Sequence, residues 1–368
     1  MVSAVIFATT FAASGLLALL LIRVAPRLGL VDHPGGRKEH AASTPLIGGI
    51  AIALSCVVGL AVVPFPHAWP LALAMLIMMA VGIADDIHEI PPLPKFIVQA
   101  AACLVMVYLA GVQLNTVGAL FGWRPFGMWL FTVPMSVFAV IGVINAINMV
   151  DGIDGNTGGI ALVAFAAFAY VARESGMWSQ YNVLVSLTGA TAGFLLLNAR
   201  WPWNKRARTF LGDTGSMLIG FLLGWFAIDL SAGNGSPTDG MRTFPPICAL
   251  WVIVIPLCDC VSLMLRRRKA GRSMFVADRQ HLHHYLLNRG LGIGQASAVT
   301  AGLSVVTALI AIGGWKLGVP EPAMFVAFVV LFVGYHRFMS HAFKTMPQLS
   351  VMPESTSVLG GVNVKDKT

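Results

Sequence analysis

The sequence predicts an all-α polytopic membrane protein of about eleven transmembrane helices, its amino terminus outside and its carboxyl terminus in the cytoplasm. Three observations carry this. Charged residues make up only 11% of the 368-residue chain, against about 25% in soluble domains. Uncharged apolar runs of spanning length recur from one end to the other. When these runs are threaded alternately, all but four of the 24 Lys and Arg fall on one side.

Taken in order, the first run lies near 3–24. From Val2 to Ile22 it is too long for a signal-peptide core. It has no charged leading segment and no small-residue cleavage site, so it is expected to stay as a helix. Further spans are expected near 46–64 and 69–84, separated only by Pro64-Phe65-Pro66-His67. The rest follow near 95–112, 129–149, 158–173, 182–199, 213–230, 245–265, 295–314 and 321–338. An odd number of crossings places the two ends on opposite sides. With the amino terminus outside, only Arg124, Arg173, Arg242 and Lys316 remain outside, and the positive-inside rule fixes that orientation. Residues 1–343 are read as one transmembrane domain with five cytoplasmic loops, and 344–368 as a mobile tail. The five cysteines, Cys56, Cys103, Cys248, Cys258 and Cys260, all sit in apolar segments, and their odd number argues against a disulfide framework.

The polar clusters then gather on the inner side. The densest is Asn145-Ala-Ile-Asn148-Met-Val-Asp151-Gly152-Ile-Asp154-Gly155, closing a run without charge. A carboxylate in hydrocarbon costs about 2.5–3.5 kcal/mol on insertion scales, so such groups mark a site. Asn145, Asn148, Asp151 and Asp154 would share one face of a continuing helix, while Gly152 and Gly155 let the backbone leave it. The adjacent acids Asp85 and Asp86 repel and call for a partner, most simply a divalent cation. Mg²⁺ takes one or two carboxylates and completes its shell with water and phosphate oxygens. Asp85, Asp86, Asp151, Asp154 and Asp213 are the acids available. Phe210-Leu-Gly212-Asp213-Thr214-Gly215-Ser216 opens an apolar helix, whose first N–H groups either hold an anion or are capped by Asp or Thr. Arg266 and Arg267 head a basic run that serves orientation or faces an anionic headgroup. His281, His283 and His284, after Asp278 and Arg279, suit phosphate, nucleotide or metal. This is equipment for joining a water-soluble phosphorylated substrate to a lipid phosphate. The rival reading is a secondary transporter, which should show mid-helix acids and an internal repeat. Here the acids lie at inner helix ends, Asp259 excepted, and no repeat is evident.

These motifs resemble the polyprenyl-phosphate N-acetylhexosamine-1-phosphate transferases. The matching residues are Asp85-Asp86, Asn145-Ala-x-Asn148-x-x-Asp151-Gly-x-Asp154-Gly155, Phe210-x-Gly212-Asp213 and His281-x-His283-His284, in the family's order and on the expected side. The resemblance covers nearly the whole chain. Asp278-Arg279-Gln280-His281-Leu-His283-His284 is similar to the branch that initiates O-antigen, enterobacterial common antigen or related glycans, rather than the peptidoglycan branch. Within D-D-x-x-D, Glu89 stands where relatives often carry a third Asp.

The resemblance implies a multi-pass protein of the bacterial inner membrane, amino terminus periplasmic, that joins UDP-GlcNAc to undecaprenyl phosphate at the cytoplasmic face. The products would be undecaprenyl-diphosphate-GlcNAc and UMP, formed with Mg²⁺ or Mn²⁺. It assigns Asp213 to the metal. Asp85 and Asp86 would hold the metal–diphosphate assembly or take a proton from the lipid phosphate. Asn145, Asn148, Asp151 and Asp154 would line the nucleotide-sugar site, with Asp151 and Asp154 counted among the catalytic acids. His281, His283 and His284, with Arg266 or Arg267, would hold phosphate or sugar, and Lys38 and His40 match a basic loop near the site. Membrane lipid is a partner, nucleic acid is not, and a homodimer is an allowed assembly.

Overall fold

The computed structural model of the protein describes residues 2–32, 43–122, 125, 127–231, 244–273 and 280–345. The chain is helical almost throughout: α1 (Val2–Val24), α2 (Gly48–Val62), α3 (Ala68–His88), α4 (Pro92–Ala110), α5 (Thr132–Val150), α6 (Asn156–Glu174), α7 (Trp178–Asn198), α8 (Gly212–Ser231), α9 (Pro246–Val252), α10 (Val254–Lys269), α11 (Leu282–Asn288), α12 (Ile293–Leu317) and α13 (Glu321–Thr345). Two short strands, β1 (Val31–Asp32) and β2 (Thr44–Pro45), pair antiparallel beside α2.

Among the described residues nine helical segments are long and apolar enough to cross a membrane, and α9 with α10 makes a tenth if the bent pair is one span. The protein is an all-α polytopic membrane protein. Each of the eleven apolar runs is helical, with two departures from the expected form. The run near 245–265 is broken, α9 and α10 meeting at 81° around Ile253. Pro256 explains the break, because it has no N–H for the carbonyl four residues back and its ring crowds that carbonyl. The second run is short: the 15 residues of α2 rise only about 22 Å, against a hydrocarbon core of about 30 Å.

At the centre stands α8, in which every residue of the spanning window is buried. Helices α2, α3, α5, α6 and α9 all pack on it. Without a hydrophobic drive between helices in lipid, close contact comes from small residues. At Gly82 a Cβ would fall 2.3 Å from Thr214 Cα, and at Gly49 it would fall 2.3 Å from the Gly215 nitrogen. Backbone therefore meets backbone where α2, α3 and α8 converge, which brings the Asp85–Asp86 pair against the start of α8. The loop before α8 is sewn to the start of α2: Phe210 N–H donates to Pro45 O (2.8 Å), Gly48 N–H to Phe210 O (3.0 Å) and Gly49 N–H to Leu211 O (3.1 Å).

Candidate active site

The stretch Asn145–Gly155 does not continue as one helix. The α5 helix ends at Val150, and Asp151 leaves it with φ −79° and ψ 63°. Gly155, at φ 79°, then turns the chain into α6. The helix thus ends where the run near 129–149 and the two glycines place it, and the polar residues part instead of sharing the face a continuing helix would give them. Asp151 and Asp154 line a cavity of about 690 Å³. Asn145 and Asn148 line a second cavity of about 360 Å³. Gly152 and His284 border both, so this turn is the wall between them.

The larger cavity also gathers Asp85, Asp86 and Asp213. Consecutive residues on a helix point about 100° apart, and the adjacent acids take different partners. Asp85 Oδ2 is 2.8 Å from Lys95 Nζ, and its Oδ1 accepts from Ile90 N–H (2.8 Å). Asp85 also faces the Asp213 carboxyl, whereas Asp86 binds the backbone at the start of α8. Its Oδ1 accepts from Asp213 N–H (2.7 Å), and its Oδ2 accepts from Thr214 N–H (3.1 Å) and the Thr214 hydroxyl (2.6 Å). The anion at this helix start is thus the chain's own Asp86, satisfying otherwise unpaired N–H groups and opposing the positive end of the helix dipole. Asp213 is fixed from the other side: Asn148 Nδ2 donates to Asp213 Oδ1 (2.5 Å) and to Ser216 Oγ (2.8 Å). Asn145 is farther along the second cavity, donating to Ile141 O (2.8 Å) and Gln99 Oε1 (3.3 Å).

Three arginines that the sequence offered only as inner-side charge also line the larger cavity: Arg200, Arg206 and Arg208. Arg200 Nε donates to Asp154 Oδ2 (2.7 Å), which also accepts from Ala207 N–H (3.3 Å). Asp154 therefore orients the arginine loop. Glu89 lines the same cavity, at φ 48° as the residue that ends α3.

The second cavity has an apolar wall that includes Phe96, Met149, Met217 and Met264, and polar groups from Lys95, Arg267, His281, His283 and His284. Arg266 and Arg267, alternatives by sequence, separate here. Arg267 lines the cavity, whereas Arg266 donates to Gln280 O (2.5 Å) and Ser262 Oγ (2.7 Å) and lies over the Phe343 ring. The histidines form a stack, His281 parallel to His283 at 5.4 Å and His283 4.2 Å from His284. Burial, then the charges of His284 and His281, hold His283 well below the usual histidine range. Its ring is neutral at pH 7. A Cβ at Gly152 would fall 2.3 Å from His283 Nε2, so only glycine lets this ring lie against the wall. Lys38, His40, Asp278 and Arg279 lie outside the described residues.

The larger cavity carries more negative charge than its partners balance. Burial, then the neighbouring carboxylates Asp213, Asp86 and Asp154, push the Asp151 carboxyl up to about 7. Among the described residues no three His, Cys, Asp or Glu side chains form a closed metal cage. Hard oxygen donors, few in number and facing a roomy cavity, fit Mg²⁺ or Mn²⁺ with the rest of the shell left to water and substrate.

The fold and this carboxylate- and arginine-lined site are those of a polytopic membrane protein suited to handling phosphate groups. Residues 68–231 match the model of glycosyl transferase family 4. The chain is 34% identical over 339 residues to an undecaprenyl-phosphate alpha-N-acetylglucosaminyl 1-phosphate transferase of Haemophilus influenzae, covering 91% of this chain and 93% of the relative. It is 33% identical to proteins of the same description from Salmonella typhimurium, over 94% of this chain and 91% of the relative, and from Escherichia coli K12, over 88% and 87%. The chain belongs to this family of glycosyl-1-phosphate transferases.

Proposed function

We propose that the protein transfers GlcNAc-1-phosphate from UDP-GlcNAc to undecaprenyl phosphate at the cytoplasmic face of a bacterial inner membrane. The products are undecaprenyl-diphosphate-GlcNAc and UMP, the first membrane step of a cell-surface glycan such as O-antigen lipopolysaccharide. The observation that carries this reading is the pair of adjoining cavities. The larger one, polar and rimmed by Arg200, Arg206 and Arg208, suits a nucleotide diphosphate sugar. The smaller one, apolar with Lys95 and Arg267, suits a prenyl chain ending in phosphate. The relatives' shared description names the same acceptor and sugar.

In this reading eleven crossings place the amino terminus in the periplasm and the carboxyl terminus in the cytoplasm. Asp213 and Asp151 hold Mg²⁺ or Mn²⁺, which when bound neutralises the diphosphate and the developing charge. Lys38 and His40 join the donor side. An oxygen of the lipid phosphate attacks the β-phosphorus of UDP-GlcNAc, and the bond to UMP breaks as the new P–O bond forms. The acceptor arrives already ionised, a phosphomonoester having its second pKa near 6. The residues' work is to bring two anions together. Asp85 fixes Lys95 toward the acceptor phosphate, Asp154 fixes Arg200 toward the donor, and Asp86 and Asn148 hold Asp213 between them.

The test is purified protein in detergent with Mg²⁺, undecaprenyl phosphate and a panel of labelled UDP-sugars. Label should pass to lipid from UDP-GlcNAc. Transfer only from another UDP-N-acetylhexosamine would change the donor and keep the chemistry. No lipid product from any donor would overturn the reading.

A further inference from the structure

Asp259 lies on α10 just past the bend and is 1% exposed. It accepts three hydrogen bonds: from His281 Nδ1 (2.7 Å) on Oδ2, and from Leu282 N–H (3.1 Å) and the Tyr335 hydroxyl (2.7 Å) on Oδ1. A buried carboxylate persists only with such compensation. Two of its donors belong to the histidine segment, and the third comes from α13. Tyr335 is more than a hundred residues beyond the end of the family match at residue 231.

The consequence lies at the cavity. With Nδ1 bound to the carboxylate, Nε2 is the ring nitrogen of His281 left for the smaller cavity, which His281 lines. A ring that donates from Nδ1 to Asp259 and from Nε2 to a phosphate carries a proton on both nitrogens, and the Asp259 carboxylate offsets that charge. The His281 ring lies parallel to His283 within 3°, so its orientation is passed along the stack to the wall at Gly152.

We propose that Asp259, braced by Tyr335, is a positioning residue that aims the Nε2–H of His281 toward the acceptor phosphate. This rests on the reading of the smaller cavity as the acceptor site. Metal-ligating histidines are oriented in the same way, by a carboxylate on the far nitrogen. Lys95, Arg267 and His284 line the same cavity, so His281 contributes one interaction among several.

The experiment measures initial rates of full-length Asp259→Asn, Tyr335→Phe, His281→Ala and the double variant D259N/H281A, varying each substrate separately. Asp259→Asn should raise KM for undecaprenyl phosphate about tenfold and leave KM for UDP-GlcNAc unchanged; Tyr335→Phe should do the same by a smaller factor. Adding Asp259→Asn to His281→Ala should change nothing further, because Asp259 acts through His281. An equal rise in both KM values, additive losses in the double variant, or unaltered kinetics would overturn the proposal. If Asp259→Asn does not accumulate folded, Tyr335→Phe decides alone. Wild-type protein that does not turn over UDP-GlcNAc with the lipid would instead overturn the function on which the proposal rests.

Discussion

Asp86, on α3, accepts the backbone N–H of Asp213, in the first turn of α8, at 2.7 Å. One acid thereby fixes the backbone of another 127 positions away in the chain. Replacing a cap of this kind with alanine costs about 0.5–2 kcal/mol. Asp86→Ala should therefore lower the melting temperature in detergent and reduce turnover at least about tenfold as Asp213 loses its place. Asp86→Asn, which keeps one acceptor oxygen, should fall between. An alanine variant that melts and turns over like wild type would remove Asp86 from this role.

Gly152→Ala places a methyl group where His283 Nε2 now lies. The ring must move, and overpacking of this kind costs about 1–3 kcal/mol. Turnover should fall at least about tenfold while membrane insertion is unchanged. His283→Ala in the same chain should relieve the clash, so the double variant should be no worse than His283→Ala alone. Strictly additive losses would show that the two residues act separately.

These two relationships mark where sequence reasoning stopped. The apolar runs were legible because length and absence of charge are local properties, and all eleven became helices. The bend at Ile253 was not predicted, although Pro256 is its visible cause. The Asp85–Asp86 pair reads as two equivalent acids, yet adjacent helical positions diverge, and only the fold shows one paired with Lys95 and the other holding the backbone at the start of α8. Arg200 reads as orientation charge because its partner Asp154 is 46 positions away. Asp259 stood out as an acid inside a span, but its histidine and tyrosine partners come from separate segments. The end of α5 was legible in the run near 129–149 and in Gly152 and Gly155, but the division of Asn145–Gly155 between two cavities depends on what packs around that turn.

The Asp151 carboxyl, pushed up to about 7 by burial and by its neighbouring acids, would give metal binding in the proposed reaction a definite pH dependence. Below pH 7 the group is protonated and must lose that proton to hold a cation. The apparent affinity for Mg²⁺ should therefore weaken as pH falls from 8 to 6, by up to about tenfold per unit, with protons released on binding. Titration calorimetry in buffers of different ionisation enthalpy reads this directly. Asp151→Asn should bind more weakly and release no proton from this site; unchanged proton release would assign it to another carboxyl.

Orientation is checked with single cysteines introduced at Lys205 and Gly318 in a chain lacking its native cysteines. An impermeant thiol reagent applied to intact cells should label Gly318→Cys and leave Lys205→Cys unlabelled until the membrane is opened. The opposite pattern would invert the topology and place the two cavities on the outer face.

In the proposed reaction the lipid phosphate attacks directly, between two cavities that meet at Gly152 and His284. The most direct measurement is UMP release by purified, metal-loaded protein given UDP-GlcNAc alone, then with undecaprenyl phosphate. Direct attack predicts no UMP until the lipid is added, and initial-rate patterns that are sequential in the two substrates. A stoichiometric burst of UMP from lipid-free enzyme, with an acid-trapped sugar-phosphate adduct on one of the cavity aspartates, would contradict it.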